Sequence, residues 1–188
     1  GVIHRNLCIY NFKRDCVMVI IISGATHTGK TVLSDRLMKK YHYPVLSQDL
    51  LKMGLIRSGN TTLTPEDDRE MTDYLWKIVS EMIKTAVENK QNLIVEGCYV
   101  PFDWKKDFEE EYLKEIRCIF LIFSEEYIRN NFAEIKKHAD DIEQRLDDSQ
   151  INEEYLISEN RFYLEGCRES GTEYILIDKD YKITEEII

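Results

Sequence analysis

Residues 24–31 read Gly-Ala-Thr-His-Thr-Gly-Lys-Thr and follow directly on the apolar run Val17-Met18-Val19-Ile20-Ile21-Ile22. No other stretch limits the fold as strongly, because G-x-x-x-x-G-K-[ST] does its work only between a strand and a helix. Its glycines let the backbone curl so that successive N–H groups point at one anion, and the helix that follows turns its positive end on the same point. The spacing puts Lys30 within reach of the β- and γ-phosphates of a nucleoside triphosphate and offers the Thr31 hydroxyl to Mg²⁺. Gly24, Ala25, Thr26, His27, Thr28, Gly29, Lys30 and Thr31, with Val32 in the first helical turn, are expected to line that triphosphate.

Further apolar runs of strand character fall at residues 17–23, 43–47, 92–96, 116–123 and 173–177, each separated from the next by a stretch of helical character. Strands alternating with helices predict a parallel sheet covered on both faces, an α/β architecture of three layers. The clearest helix is expected to open at Thr64-Pro65-Glu66-Asp67, with a cap, a proline at the first helical position and acids in the first turn. Its stripe of Met71, Tyr74, Leu75, Ile78, Val79, Met82, Ile83, Ala86 and Val87 recurs at helical spacing and reads as packing.

A chain of 188 residues, 43% of them hydrophobic, fits one domain with a real core. With 35 acidic residues against 25 basic ones the formal net charge is −10, which argues against broad attraction to nucleic acid or to an anionic membrane surface. Any nucleotide must then be held by a local basic pocket. The five cysteines are scattered without C-x-x-C pairs, which suits reduced thiols in a cytoplasmic protein, and Cys118 reads as a small core residue. No apolar stretch approaches the roughly 18 residues of a membrane span. Residues 1–17 lack the apolar core of a secretion signal and read as a partly disordered extension to a domain spanning 18–188.

Ligands of an open parallel sheet bind at the carboxyl ends of its strands, so the residues after each strand carry the candidate chemistry. Ser47-Gln48-Asp49 follows the second strand, and a carboxylate there would face the γ-phosphate, accepting a proton from an attacking hydroxyl or holding a Mg²⁺-bound water. Asp49 is the candidate, with a helix cap as its alternative role. Glu96 closes the third strand, either as a metal-side acid acting through water or as a substrate contact. Gly97 permits close approach of a ligand or simply turns the chain, and Tyr99 and Pro101 either wall a substrate pocket or pack. Arg57 is a candidate grip for an anionic acceptor. Residues 125–150 mix Arg129, Lys136, Lys137, His138 and Arg145 with many acids, as expected of a closing lid or of a solvated helical face. Arg129, Arg145 and, on the following helix, Arg161 are the candidates to reach the triphosphate and stabilise charge during transfer. The four histidines share no metal spacing.

Over residues 17–177 the chain resembles the small phosphate-loop kinases of the nucleoside and nucleotide kinase type, in the branch that includes zeta-toxin-like, chloramphenicol-phosphotransferase-like and 2-phosphoglycerate-kinase-like proteins. The likeness rests on the loop at 24–31, on Asp49, on Leu93-Ile94-Val95-Glu96-Gly97 and on an arginine-containing lid before the last helix. It implies the P-loop NTPase fold, with a five-stranded parallel sheet of order 2-3-1-4-5, ATP with Mg²⁺, and a small-molecule acceptor whose hydroxyl is activated by Asp49. The lid lacks the dense arginines of adenylate kinases, so the resemblance does not extend to a nucleoside monophosphate acceptor.

Two readings stay open on sequence: a small-molecule kinase, and an NTPase or nucleotide-dependent switch without an acceptor. The nearest string to the guanine-reading N-K-x-D is Asn89-Lys90-Gln91-Asn92, which lacks the acid. Residues 57–64 and 125–150 supply enough chain to cover a site and exclude water, which favours the kinase.

Overall fold

The computed structural model describes residues 18–139 and 152–183. The expected extension at 1–17, the part of the lid segment at 140–150 and with it Arg145 lie outside the described residues. Elements alternate along the chain as β1 (Val19–Gly24), α1 (Lys30–Tyr41), β2 (Val45–Ser47), α2 (Gln48–Arg57), α3 (Asp68–Glu88), β3 (Leu93–Glu96), α4 (Glu110–Leu113), β4 (Ile116–Phe123), α5 (Glu125–Ala139), α6 (Glu153–Ser170) and β5 (Tyr174–Ile177). The five strands form one parallel sheet in the order β2-β3-β1-β4-β5, as the resemblance implied.

The strands are apolar without polar alternation because both faces of the sheet are covered. Ile20 and Ile22 of β1 and Ile119, Leu121 and Phe123 of β4 turn to one face, where Leu33 and Leu37 of α1 and Ile128 of α5 meet them. Val19, Ile21, Phe120 and Ile122 turn to the other, against Trp76, Val79 and Ile83 of α3. Helix α6 serves both faces, with Leu156 and Ile157 in the first cluster and Tyr163 and Cys167 in the second. Cys118 is buried in the core, as its apolar setting suggested.

Helix α3 begins at Asp68 rather than at the Thr64 cap expected from sequence. The Asp67 carboxylate turns back to accept the Thr64 backbone N–H at 2.8 Å and its hydroxyl at 2.9 Å, closing a turn where a first helical turn was expected. Among the described residues no helix is long and apolar enough to cross a membrane.

One buried amide fixes α6 to the sheet edge where the strands end. Asn160 Oδ1 accepts the Phe123 backbone N–H at 2.7 Å, and its Nδ2 donates to the Leu156 carbonyl at 2.8 Å. Asn160→Ala leaves the Phe123 N–H unpaired and is expected to cost about 2–3 kcal/mol. Urea denaturation measures it, and a loss below about 0.5 kcal/mol, the usual range of surface changes, would contradict this role.

Candidate active site

The loop between β1 and α1 is set by contacts at both of its ends. Gly24 has a φ of 127°, and a Cβ there would lie 2.1 Å from the Leu121 carbonyl oxygen of β4. Only glycine can end β1 in that position. Thr28 Oγ1 and Lys30 Nζ each donate to the Ala25 carbonyl at 2.7 Å, so the Lys30 ammonium lies buried across the loop. From behind, the Tyr181 hydroxyl donates to the Thr28 carbonyl at 3.0 Å and sits 1.9 Å from where a Cβ on Gly29 would be. These donors occupy carbonyls, which is what a backbone needs if its N–H groups are to serve an anion. Helix α1 starts with no side-chain cap and no acid in its first turn, leaving its positive end to whatever enters the loop. Val32 stands half-buried in that turn.

The tips of β2 and β3 are level, with Ser47 paired with Glu96, while β1 runs two residues past Ile22, its own partner of Glu96. Glu96 is only 4% exposed, and its Oε1 accepts the Thr31 hydroxyl at 3.1 Å, joining the first turn of α1 to β3. Two oxygens of hard character thus face each other beside the loop, a donor set suited to Mg²⁺.

Helix α2 is capped by Ser47, whose hydroxyl accepts the Leu50 N–H, so the cap role considered for Asp49 belongs to Ser47. Asp49 sits in the first turn with its side chain 41% exposed, paired at 3.0 Å with Lys52, which is only 13% exposed. Lys52 Nζ donates to the Tyr99 hydroxyl at 2.7 Å, and that hydroxyl lies 3.4 Å from Asp68 Oδ1. Tyr99 is held from the backbone as well. Its N–H donates to Gln48 Oε1 at 2.9 Å, and Gln48 Nε2 donates to its carbonyl at 3.1 Å. The group that approaches Gly97 is therefore the Gln48 side chain, whose Cβ lies 2.6 Å from a methyl built on the glycine. Tyr99 packs with Met71 and Leu75, beside half-buried Leu51, Leu55, Ile56 and Tyr74, making a small apolar wall next to Asp49. Cys98 lies between the two sides. Burial pushes its thiol up to about 11, against the pull of the Lys30 and Lys52 charges.

Arg129 makes contacts of 2.8 Å to Glu125, 2.8 Å to Glu153 and 3.2 Å to Glu154, and Arg161 contacts Glu125 at 3.1 Å, so both are tied to acids on α5 and α6. Arg57 is exposed at the far end of α2 from Asp49. Four groups near the loop escaped the reading of the sequence: Gln48, Lys52, Glu159 and Tyr181. Lys52 alone had a local signal, three residues after Asp49 on one helix face. Glu159 of α6 accepts the Thr26 backbone N–H at 3.1 Å across 133 residues of chain, a contact no local pattern encodes. A cleft of about 920 Å³ opens at the opposite end of the sheet, among His42, Lys77, Met82 and Leu93, away from the strand tips where such folds bind ligands.

The family described as the AAA domain matches residues 19–155. No functionally curated protein matches the chain. Among solved structures, a provisionally assigned kinase from Chloroflexus aurantiacus is 19% identical, with 90% of this chain and 92% of that one aligned at a TM-score of 0.53. Deoxyadenosine kinase from M. mycoides, with dCMP and dCDP bound, is 19% identical over 90% of this chain and 94% of that one, at a TM-score of 0.52. The same enzyme with bound dATP gives 18% identity, the same coverage and a TM-score of 0.52. At such identities the likeness is one of fold: a phosphate-loop α/β domain of the kind found in small-molecule kinases. With the family match covering most of its length, the chain belongs to the AAA domain family of phosphate-loop proteins.

Proposed function

We propose that the chain is an ATP- and Mg²⁺-dependent kinase that transfers the terminal phosphoryl group to a hydroxyl of a small metabolite or of a nucleoside- or nucleotide-like acceptor. The observation that carries this reading is the shared position of the two halves at β3: the loop reaches Glu96 through Thr31, and Asp49 follows Ser47, the register partner of Glu96. A donor cradle and a solvent-accessible carboxylate on either side of one strand tip form the arrangement that in-line transfer needs. The dATP-bound deoxyadenosine kinase of similar fold supports a nucleoside triphosphate as donor.

On this reading, Lys30 leaves the Ala25 carbonyl for the β- and γ-phosphate oxygens, and the loop amides take the rest of the chain. Thr31, with Glu96 or Asp49 through water, would hold Mg²⁺, which when bound neutralises charge on the phosphates. Asp49 accepts the proton of the acceptor hydroxyl as its oxygen bonds to the terminal phosphorus. The bond from that phosphorus to the bridging oxygen breaks, and the diphosphate leaves with the electron pair. Lys52, itself tied to the Tyr99 hydroxyl, holds the Asp49 carboxylate, Tyr99 shapes the acceptor side, and the Leu51, Leu55 and Tyr74 wall excludes water. Arg129, Arg161 and Arg145 are candidates to reach the triphosphate on closure; for Arg129 and Arg161 this requires exchanging their present carboxylate partners for phosphate. Arg57 is left as a contact to the outer part of the acceptor.

The test is ADP release from ATP in the presence of a panel of nucleosides, sugars and hydroxylated antibiotics. Lys30→Ala is expected to abolish turnover, while Asp49→Asn keeps ATP binding and loses transfer by about 10²-fold or more. Parent-like turnover in the Asp49 variant would refute its role, and an ADP release indifferent to every acceptor would favour an NTPase. A neutral thiol has no part in the step, so Cys98→Ser is expected to keep turnover within about threefold, whereas loss of a nucleophilic cysteine would abolish it.

A further inference from the structure

Helix α6 brings a negative charge to the loop that the transfer step does not use. Asn160 locks the helix to the end of β4, and one residue earlier the Glu159 carboxylate accepts the Thr26 backbone N–H at 3.1 Å. Its charge is also felt at the Cys98 thiol, together with those of Lys30, Asp49 and Lys52. A carboxylate oxygen on a loop amide takes the kind of place that a phosphate oxygen takes in an anion cradle. A second anion arriving at that amide meets a like charge at contact distance, in a partly buried setting where repulsion is strong. Because Asn160 holds the backbone, relief has to come from the Glu159 side chain swinging away.

Resting on the nucleotide-binding reading above, we propose that Glu159 is an internal competitor of the donor's terminal phosphate: it occupies the Thr26 amide when the loop is free and is expelled by a triphosphate. Glu159 thereby sets the ratio of triphosphate to diphosphate affinity. A diphosphate, lacking the group nearest the acceptor, leaves the carboxylate in place. After transfer the same carboxylate returns to the amide.

Fluorescent N-methylanthraniloyl derivatives of ATP and ADP, titrated with Mg²⁺ into the parent, Glu159→Gln and Glu159→Ala, test this. Gln keeps the size and an acceptor oxygen but removes the charge; Ala removes both, and a nucleotide-free melting curve establishes that each variant is folded. Both variants are expected to bind the ATP derivative about tenfold more tightly, the order of relieving one like charge in a partly exposed site, and the ADP derivative within about twofold of the parent. An unchanged affinity ratio overturns the proposal. So does weaker ATP binding in the variants, which would make Glu159 a ligand of the loaded site. A parent that binds neither nucleotide refutes the nucleotide reading itself, an outcome distinct from binding with an unchanged ratio.

Discussion

The contact of Gly24 with Leu121 is the constraint from which the site follows. With Gly24 paired to Leu121 in the parallel ladder, the chain leaves β1 so close to β4 that no side chain fits between them. The loop must therefore start at the middle of the sheet, with strand tips on both sides. From there Thr31 can reach Glu96 on one neighbour, and Asn160 can fasten α6 to the end of the other. Tyr181 completes the support from the segment after β5, so the sequence-distant end of the described chain backs the loop. Contacts of this kind hold the loop from the fold itself, and preorganisation is what makes backbone N–H groups effective for anions.

Charge is organised on two scales. The whole chain is acidic, with a formal net charge of −10, yet two cations near the strand tips, Lys30 and Lys52, are well buried. An enclosed cation acts in a lower effective dielectric than a surface one and draws a polyanion despite the overall field. Arg129 of α5 and Arg161 of α6 are instead spread among Glu125, Glu153 and Glu154 on the surface, pairs worth little to stability and readily exchanged. Glu159 adds a carboxylate at the loop itself, on the Thr26 amide.

The loop, the five strands and the parallel arrangement were legible because each leaves a local trace: a fixed motif, or an apolar run buried on both faces. Strand order was not contained in those traces; it came with the family resemblance, and the β2-β3-β1-β4-β5 sheet bears it out. The start of α3 was misread because Thr64-Pro65-Glu66-Asp67 has every mark of a helix entry, and only the return of the Asp67 side chain to Thr64 decides for a turn. Asp49, Glu96 and Tyr99 could be picked out by their places after strands. What joins them could not. Gln48 bridges to Tyr99 across 51 residues and Tyr181 reaches Thr28 across 153, and pairings of that range are products of the fold. Lys52 was visible in principle, since an acid and a lysine three apart on a helix meet, but such pairs are so common on surfaces that its burial was needed to single it out.

Transfer and hydrolysis differ in where the terminal phosphoryl group goes. ATP carrying ³²P in the γ position, incubated with the protein, Mg²⁺ and a mixture of hydroxylated metabolites and nucleosides, separates transfer from hydrolysis by the chemical form of the label. For a kinase, label is expected to accumulate in an acid-stable phosphate ester of one acceptor, and to require Lys30 and Asp49 to do so. Label recovered only as inorganic phosphate, at a rate the acceptors do not change, would contradict the kinase reading.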